Sequence, residues 1–321
     1  MGAGRAWGDD LYASTADSIV RIAADGTVST FVSGLASPTG LAFATIPMFG
    51  DFLYVALDGP DTIVKISSAG AVNPFATIPA AQFIDPVDLL FSPLNGYPTH
   101  LYLTDLGGCG CTPGRVFRFS PVGGAFTVTV NNDASLTGLA AVSGGEFGSA
   151  TILHGGVANG VSDDGAFWTV PPAGAPTVFI GTAGVFFNPT SIAQGASGAF
   201  GTDLYLGDLG AFIGNARTFF VQRRDGAGAL TPFLSGLDVT SYLHGRLAFS
   251  PDGALLAVTS ANAVYVVRET TDADLNGDGS VNGADLGVML SEWGNANSPA
   301  DLNCDGMVDG ADLGVMLAAW G

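Results

Sequence analysis

A phrase of seven residues sets the architecture. SPTGLAF at Ser37–Phe43 returns as DPVDLLF at Asp85–Phe91, SLTGLAA at Ser135–Ala141, NPTSIAQ at Asn188–Gln194 and LHGRLAF at Leu243–Phe249. A second phrase follows each: LYVAL at Leu53–Leu57, LYLTD at Leu101–Asp105, TILHG at Thr151–Gly155, LYLGD at Leu204–Asp208 and LLAVTS at Leu255–Ser260, with LYAST at Leu11–Thr15 ahead of them all. The third comprises SIVRI at Ser18–Ile22, TIVKI at Thr62–Ile66, RVFRF at Arg115–Phe119, AFWTV at Ala166–Val170, RTFFV at Arg217–Val221 and AVYVV at Ala263–Val267. The fourth comprises STFVSGL at Ser29–Leu35, NPFATI at Asn73–Ile78, FTVTV at Phe126–Val130, TVFIG at Thr177–Gly181 and TPFLSGL at Thr231–Leu237.

Each phrase is a short run of β-branched and aromatic residues bounded by Gly, Pro, Asp or Ser, which is how strands and their turns are written. Four strands recurring every 42 to 55 residues make one sheet per repeat, stacked radially. Radial stacking also accounts for the composition. Both faces of each sheet are covered, so strands read apolar throughout, and the hairpins draw on 47 glycines. The second and third phrases occur six times and the first and fourth five times, so a six-sheet ring lacks an inner strand in its first unit and an outer strand in its last. Two explanations stand: a precursor segment carrying a signal peptide and that strand has been trimmed away, or another chain fills the open edge.

The phrases LYLTD…GRVFRFSP and SPTGLAF…FLYVAL…TIVKIS resemble the six-bladed propellers of the NHL-repeat and gluconolactonase/strictosidine-synthase-like group over about residues 9 to 268. In gluconolactonase-like enzymes, the resemblance implies, Glu, Asn and Asp side chains at the tunnel mouth hold a metal. The matching positions here are Thr39, Val87, Thr137, Thr190 and Gly245, with Asp88 one position on, so this cage is missing and no catalytic or cofactor-binding residue is assigned to the propeller. His100, His154 and His244 read as turn or core histidines. Asp58, Asp105 and Asp208 end second strands, where an aspartate bonds turn amides. There is no nucleophile elbow and no phosphate-binding loop.

The remaining 51 residues speak a different chemistry. DLNGDGSVNGADLGVML at Asp274–Leu290 recurs as DLNCDGMVDGADLGVML at Asp301–Leu317. Calcium takes hard oxygens from positions 1, 3, 5, 7, 9 and 12 of a twelve-residue loop, with Gly at 6 for the reversal. The first copy offers Asp274, Asn276, Asp278, the Ser280 carbonyl, Asn282 and Asp285; the second offers Asp301, Asn303, Asp305, the Met307 carbonyl, Asp309 and Asp312. Each loop opens a helix with apolar residues at Leu286, Met289, Leu290 and Trp293, or Leu313, Met316, Leu317 and Trp320, spacings that predict one buried stripe per helix. This resembles a type I dockerin over about residues 272 to 321, which implies two calcium ions, although Gly283–Ala284 and Gly310–Ala311 stand where cellulosomal dockerins carry the hydroxyl residues that meet a cohesin.

Charge concentrates here too. The net charge of −19 disfavours nucleic acid and anionic membranes as partners, and Lys65 is the only lysine. Cys109, Cys111 and Cys304 form no disulfide framework; they read as isolated thiols, with a strained Cys109–Cys111 bridge or a partial metal site as alternatives. No apolar run is long enough to span a membrane as a helix. The expectation is thus an all-β six-bladed propeller over residues 1–270 and a dockerin-like calcium domain over 271–321. Its expected role is extracellular binding or assembly, through a protein partner or self-association at the C-terminal module or the open blade edge. The alternatives are a self-assembling filament or surface-layer subunit and a propeller hydrolase or lyase of lactonase type.

Overall fold

The computed structural model describes residues 10–23, 27–78, 85–92, 99–107, 114–131, 134–144, 151–158, 165–171, 176–181, 185–195, 200–210, 218–238, 245–249, 256–259, 263–267, 273–295, 298–302 and 307–321. The four phrases become the four strands of a sheet. The first sheet is β1 (Leu11–Ser14), β2 (Ser18–Ile22) and β3 (Val28–Ser33); the second is β4 (Pro38–Phe43), β5 (Leu53–Leu57), β6 (Thr62–Ile66) and β7 (Val72–Thr77). The third is β8 (Pro86–Ser92), β9 (His100–Asp105), β10 (Gly114–Phe119) and β11 (Ala125–Asn131); the fourth is β12 (Ala134–Val142), β13 (Thr151–Ala158), β14 (Gly165–Val170) and β15 (Thr177–Ile180). The fifth is β16 (Pro189–Gln194), β17 (Leu204–Asp208), β18 (Thr218–Arg224) and β19 (Leu230–Asp238), and the last is β20 (Leu247–Phe249), β21 (Leu256–Thr259) and β22 (Val264–Val267).

All pairings that have a register are antiparallel between sequence neighbours, so each sheet is a simple meander. Among the described residues the first and last sheets have three strands and the other four have four, as the phrase count requires. The described residues fall into two compact units. One lies within Met1–Gly195, Thr202–Ala248 and Ala257–Tyr265, the other within Ala196–Gly201, Phe249–Leu256 and Val266–Gly321.

In the first unit, the first strand of each sheet packs on the first strand of the next, β4 on β8, β8 on β12 and β12 on β16. The glycine of the recurring phrase permits this approach. A Cβ on Gly40 would lie 2.7 Å from the Asp88 Cα, and one on Gly138 would lie 2.6 Å from the Ser191 Cα. The threonine before it latches the sheets together: Thr137 Oγ1 donates to the Pro189 carbonyl at 2.5 Å and Thr190 Oγ1 to the Gly245 carbonyl at 2.9 Å. Ser14 Oγ reaches the Thr39 carbonyl and Thr104 Oγ1 the Thr137 carbonyl in the same manner. These donors satisfy carbonyls that would otherwise be stranded where sheet edges meet without water.

Between the sheets the core is aromatic. Phe49, Tyr54, Phe75 and Phe91 meet mainly edge to face, with Tyr54 and Phe75 at 4.9 Å and 89°. Such pairs are favoured by the ring quadrupoles. The buried Tyr54 hydroxyl donates to the Phe49 carbonyl at 2.8 Å, and burial pushes its pKa up to about 12.

The second unit contains α1 (Gly283–Ser291) and α2 (Gly310–Ala318), opened by Asn282 and Asp309 as N-caps with capping boxes closed by Asp285 and Asp312. The two halves interlock with two-fold regularity: Val308 N bonds the Asn295 carbonyl and Gly294 N the Val308 carbonyl, while Gly321 N bonds the Val281 carbonyl. Their shared core is Ala273, Val281, Met289, Ala300, Val308 and Met316, with Leu286 and Leu313 packed against it. The single-stripe expectation therefore needs correction. Leu290 and Leu317 remain 54 % and 55 % exposed and Trp293 and Trp320 45 % and 44 %, because nine-residue helices turn only one methionine each fully inward and both tryptophans lie past the helix ends.

Candidate functional site

The position after the latch threonine is Gly40, Asp88, Gly138, Ser191 or Arg246 in the five copies of the phrase. Two copies offer no side chain and one a hydroxyl; the third sheet offers an acid and the last a guanidinium. Those two meet, with Arg246 Nη1 at 3.5 Å from Asp88 Oδ2 across 158 residues of sequence. The contact thus joins the third sheet to the last, which are not neighbours in the sheet order. Groups from the intervening sheets complete the cluster: Leu139 N donates to Asp88 Oδ2 at 2.9 Å, and Arg246 Nη1 donates to the Thr190 carbonyl at 2.7 Å. Leu89 N donates to Asp88 Oδ1 at 2.9 Å.

The pair is neither sealed nor solvated: its side chains are 22 % and 21 % exposed. Burial raises the Asp88 pKa and outweighs the opposing pull of Arg246 and of the two amides. Burial likewise pulls Arg246 down from the usual guanidinium range, against the carboxylate that supports its charge. Two desolvated charges in a loose, single-pronged contact are an expensive arrangement for stability alone. Arg246 Nη2 has no hydrogen-bond partner among the described residues.

The other aspartates of the second strands behave as turn fasteners. Asp105 Oδ1 accepts from Asp85 N and Gly107 N at 3.0 Å each; Asp208 accepts from Phe187 N, Asn188 N and Gly210 N. His154 is fully buried and stacked on Trp168, with centroids 5.2 Å apart at 16°, which makes it a core histidine. Burial lowers its pKa to about 4. His244, Cys109, Cys111, Cys304, Asn303 and Asp305 lie outside the described residues.

A metal cage at the tunnel mouth, which a gluconolactonase-like fold implies, does not fit this donor set. Thr39, Thr137 and Thr190 each donate their hydroxyl to a backbone carbonyl, and Val87 and Gly245 bring no side-chain ligand atom. The donors for a cation lie in the second unit. There the ligand oxygens of Asp274, Asp278 and Asp285 fall within 4.8 Å of one another. Backbone amides aim them: Asp274 accepts from Gly277 N, Asp278 N and Gly279 N, and Asp285 from Asn276 N and Asn282 N. Gly277 and Gly279 have φ of 73° and 88°, left-handed values that a loop reversing this tightly requires. Asn276, Ser280 and Asn282 line the same loop, with Asn282 Nδ2 on the Ser280 carbonyl. In the second loop Asp309 N donates to Asp312 Oδ2 as Asn282 N does to Asp285; Asp301 opens it and Met307 is half exposed.

No protein-family model and no curated protein matches the chain. Solved structures do. A gluconolactonase from Xanthomonas campestris superposes with a TM-score of 0.58 at 13 % identity, over 81 % of this chain and 82 % of that one. Regucalcin from Agrobacterium tumefaciens, described as a calcium-binding protein, gives 0.52 at 17 %, over 77 % and 76 %. A catalytically inactive variant of virginiamycin B lyase from Staphylococcus aureus with quinupristin gives 0.51 at 15 %, over 79 % and 74 %. The fold is a gluconolactonase-like β-propeller. These neighbours are a gluconolactonase, a lyase and regucalcin, which counts against the reading of this chain as a protein of binding or assembly acting through a dockerin-like module and favours the lactonase-type alternative.

Proposed function

We propose that the propeller is a hydrolase or lyase of lactonase type, with its site where Asp88 and Arg246 meet. The observation that carries this reading is the partly exposed Asp88 carboxylate facing Arg246 of the last sheet, held by Leu89 N and Leu139 N and raised in pKa by burial. Such a group suits general-base work near neutral pH better than an ordinary aspartate. In hydrolysis Asp88 takes a proton from water as the water oxygen bonds to the acyl carbon. The ring C–O bond then breaks, and the proton passes from Asp88 to the departing alkoxide, leaving a hydroxy acid. The likeness to a gluconolactonase supports a sugar lactone as first substrate to try.

The test is acid release from a panel of sugar and aliphatic lactones, followed by pH-stat with the purified full chain. Asp88→Asn is expected to lower the rate by about 10²- to 10⁴-fold, the usual contribution of a positioned base, with an unchanged circular dichroism spectrum. No hydrolysis of any lactone above background, or equal rates for the variant, would refute the assignment.

We infer also that the second unit is a dockerin-like pair of loops binding two calcium ions, through Asp274, Asn276, Asp278, Ser280, Asn282 and Asp285 and through Asp301, Asn303, Asp305, Met307, Asp309 and Asp312. The supporting observation is the preformed triad of Asp274, Asp278 and Asp285. Calcium titration by calorimetry tests the stoichiometry, and anything other than two ions per chain counts against it.

A further inference from the structure

The geometry points to Arg246 as the fixed cation of the propeller site, in the role a metal ion would otherwise fill, so that the tunnel works without a divalent metal and takes the carboxylate of a hydroxy acid against the guanidinium. This rests on the lactonase-type reading and deepens it. Three observations lead there. The threonines at the cage positions are already committed as donors to the Ala56, Pro189 and Gly245 carbonyls. Neutral hydroxyls alone make a poor cage for a hard divalent ion, which draws mainly on carboxylate and carbonyl oxygens. The only carboxylate at the next register position, Asp88, spends an oxygen on each of two amides and faces a positive neighbour. A second cation beside Arg246 would add like-charge repulsion in a poorly solvated place.

The guanidinium itself is underused. Among the described residues it makes one good bond, Nη1 to the Thr190 carbonyl, while its contact with Asp88 is long and single-pronged, although its planar fork suits bidentate recognition of carboxylates. Its backbone is held: Arg246 N donates to Thr259 Oγ1 at 2.8 Å, Thr259 N bonds the Arg246 carbonyl, and the preceding Gly245 carbonyl receives both Thr190 and Ser191 hydroxyls. A cation so anchored, partly exposed beside a base, is placed to attract the oxygen that gains charge as a lactone carbonyl is attacked, and then the product carboxylate.

Metal counting and product binding test this without turnover. In the full chain carrying Asp274→Asn and Asp301→Asn, equilibrium dialysis with elemental analysis should find no stoichiometric calcium, manganese or zinc; one retained equivalent overturns the inference. In parallel, D-gluconate is titrated calorimetrically into the unaltered chain in the presence of chelator. Binding should weaken at least about tenfold in Arg246→Gln and be partly restored in Arg246→Lys, with melting followed for each. No gluconate binding by the unaltered chain, binding that requires added metal, or equal binding by well-folded Arg246→Gln also overturns it. A failure of lactone turnover alone strikes the hydrolase reading and leaves both of these measurements standing.

Discussion

His154 gives the propeller an acid sensitivity that can be calculated. The ring is fully buried against Trp168, and only a 3.4 Å contact from Nδ1 to the Gly155 carbonyl supports its charged form. Its pKa falls from 6.5 to about 4 on folding, for want of solvent around the imidazolium. A proton therefore binds the unfolded chain more readily than the folded one, and stability is complete above the unfolded value and lost as pH falls from there towards 4. At about 1.36 kcal/mol per unit, the full difference of roughly 2.5 units amounts to about 3 kcal/mol, of which about 2 kcal/mol is lost between about pH 7 and pH 5. For a domain of this size that lowers the melting temperature by roughly 4 °C. Asp58, Asp88 and Asp105 work the opposite way, because burial raises their pKa values and protonation relieves the folded state as pH falls. Comparison with His154→Phe, which keeps a ring against Trp168 and cannot titrate, removes those shared contributions. The melting temperature of the parent should fall relative to the variant as the pH is lowered over this range. Parallel curves would refute the reasoning.

Other outcomes follow from the same contacts. Gly138→Ala should destabilise the propeller by about 1 to 3 kcal/mol in thermal melts, since its Cβ meets backbone atoms of Thr190 and Ser191 that cannot rotate aside. Thr137→Val should lose about 1 to 3 kcal/mol by leaving the buried Pro189 carbonyl without its 2.5 Å donor, whereas Thr137→Ser should lose less. Removing calcium with chelator should lower the helical circular dichroism signal of the second unit, because unscreened carboxylates crowd each loop; an unchanged spectrum and melt would contradict the calcium assignment.

The repeat made the fold legible, because a propeller writes the same requirement many times. The phrase SPTGLAF carries a close approach at Gly40 that reappears at Gly138, and Thr137 adds a hydroxyl latch to the next sheet, whereas Thr39 Oγ1 bonds the Ala56 carbonyl of its own sheet. Position in such a phrase thus reports a contact with the next sheet, which is why strand order could be read before any coordinates. The loop spacing was legible for a similar reason: one ion dictates where its oxygens must stand, and the structure brings Asp274, Asp278 and Asp285 of the first loop together. What the pattern concealed was the pairing across the ring. Asp88 stood out as an acid, but nothing local joins it to a residue 158 positions away. The signal was present only as a comparison of equivalent positions, Gly, Asp, Gly, Ser and Arg, in which one acid and one base occupy the same register. The exposed Leu290 and Trp293 were misread because a helical stripe states which residues share a face, not how much of that face a short partner helix covers.

That comparison also sets the third and last sheets apart from the others. A symmetrical ring with glycine at every inner position would close its strands upon one another, as Gly40 does upon Asp88 and Gly138 upon Ser191. Side chains at that register instead meet backbone groups of neighbouring sheets, Leu139 N for Asp88 and the Thr190 carbonyl for Arg246. Having Asp88 and Arg246 at that register carries a cost in desolvation visible in the raised carboxylate and the lowered guanidinium. Replacing both Asp88 and Arg246 by Gly distinguishes a pair kept for a ligand from one kept for the fold. If it serves a ligand, that double variant should melt within a few degrees of the parent while losing lactone hydrolysis and gluconate binding together. Loss of the fold in the double variant would instead make the pair a structural staple.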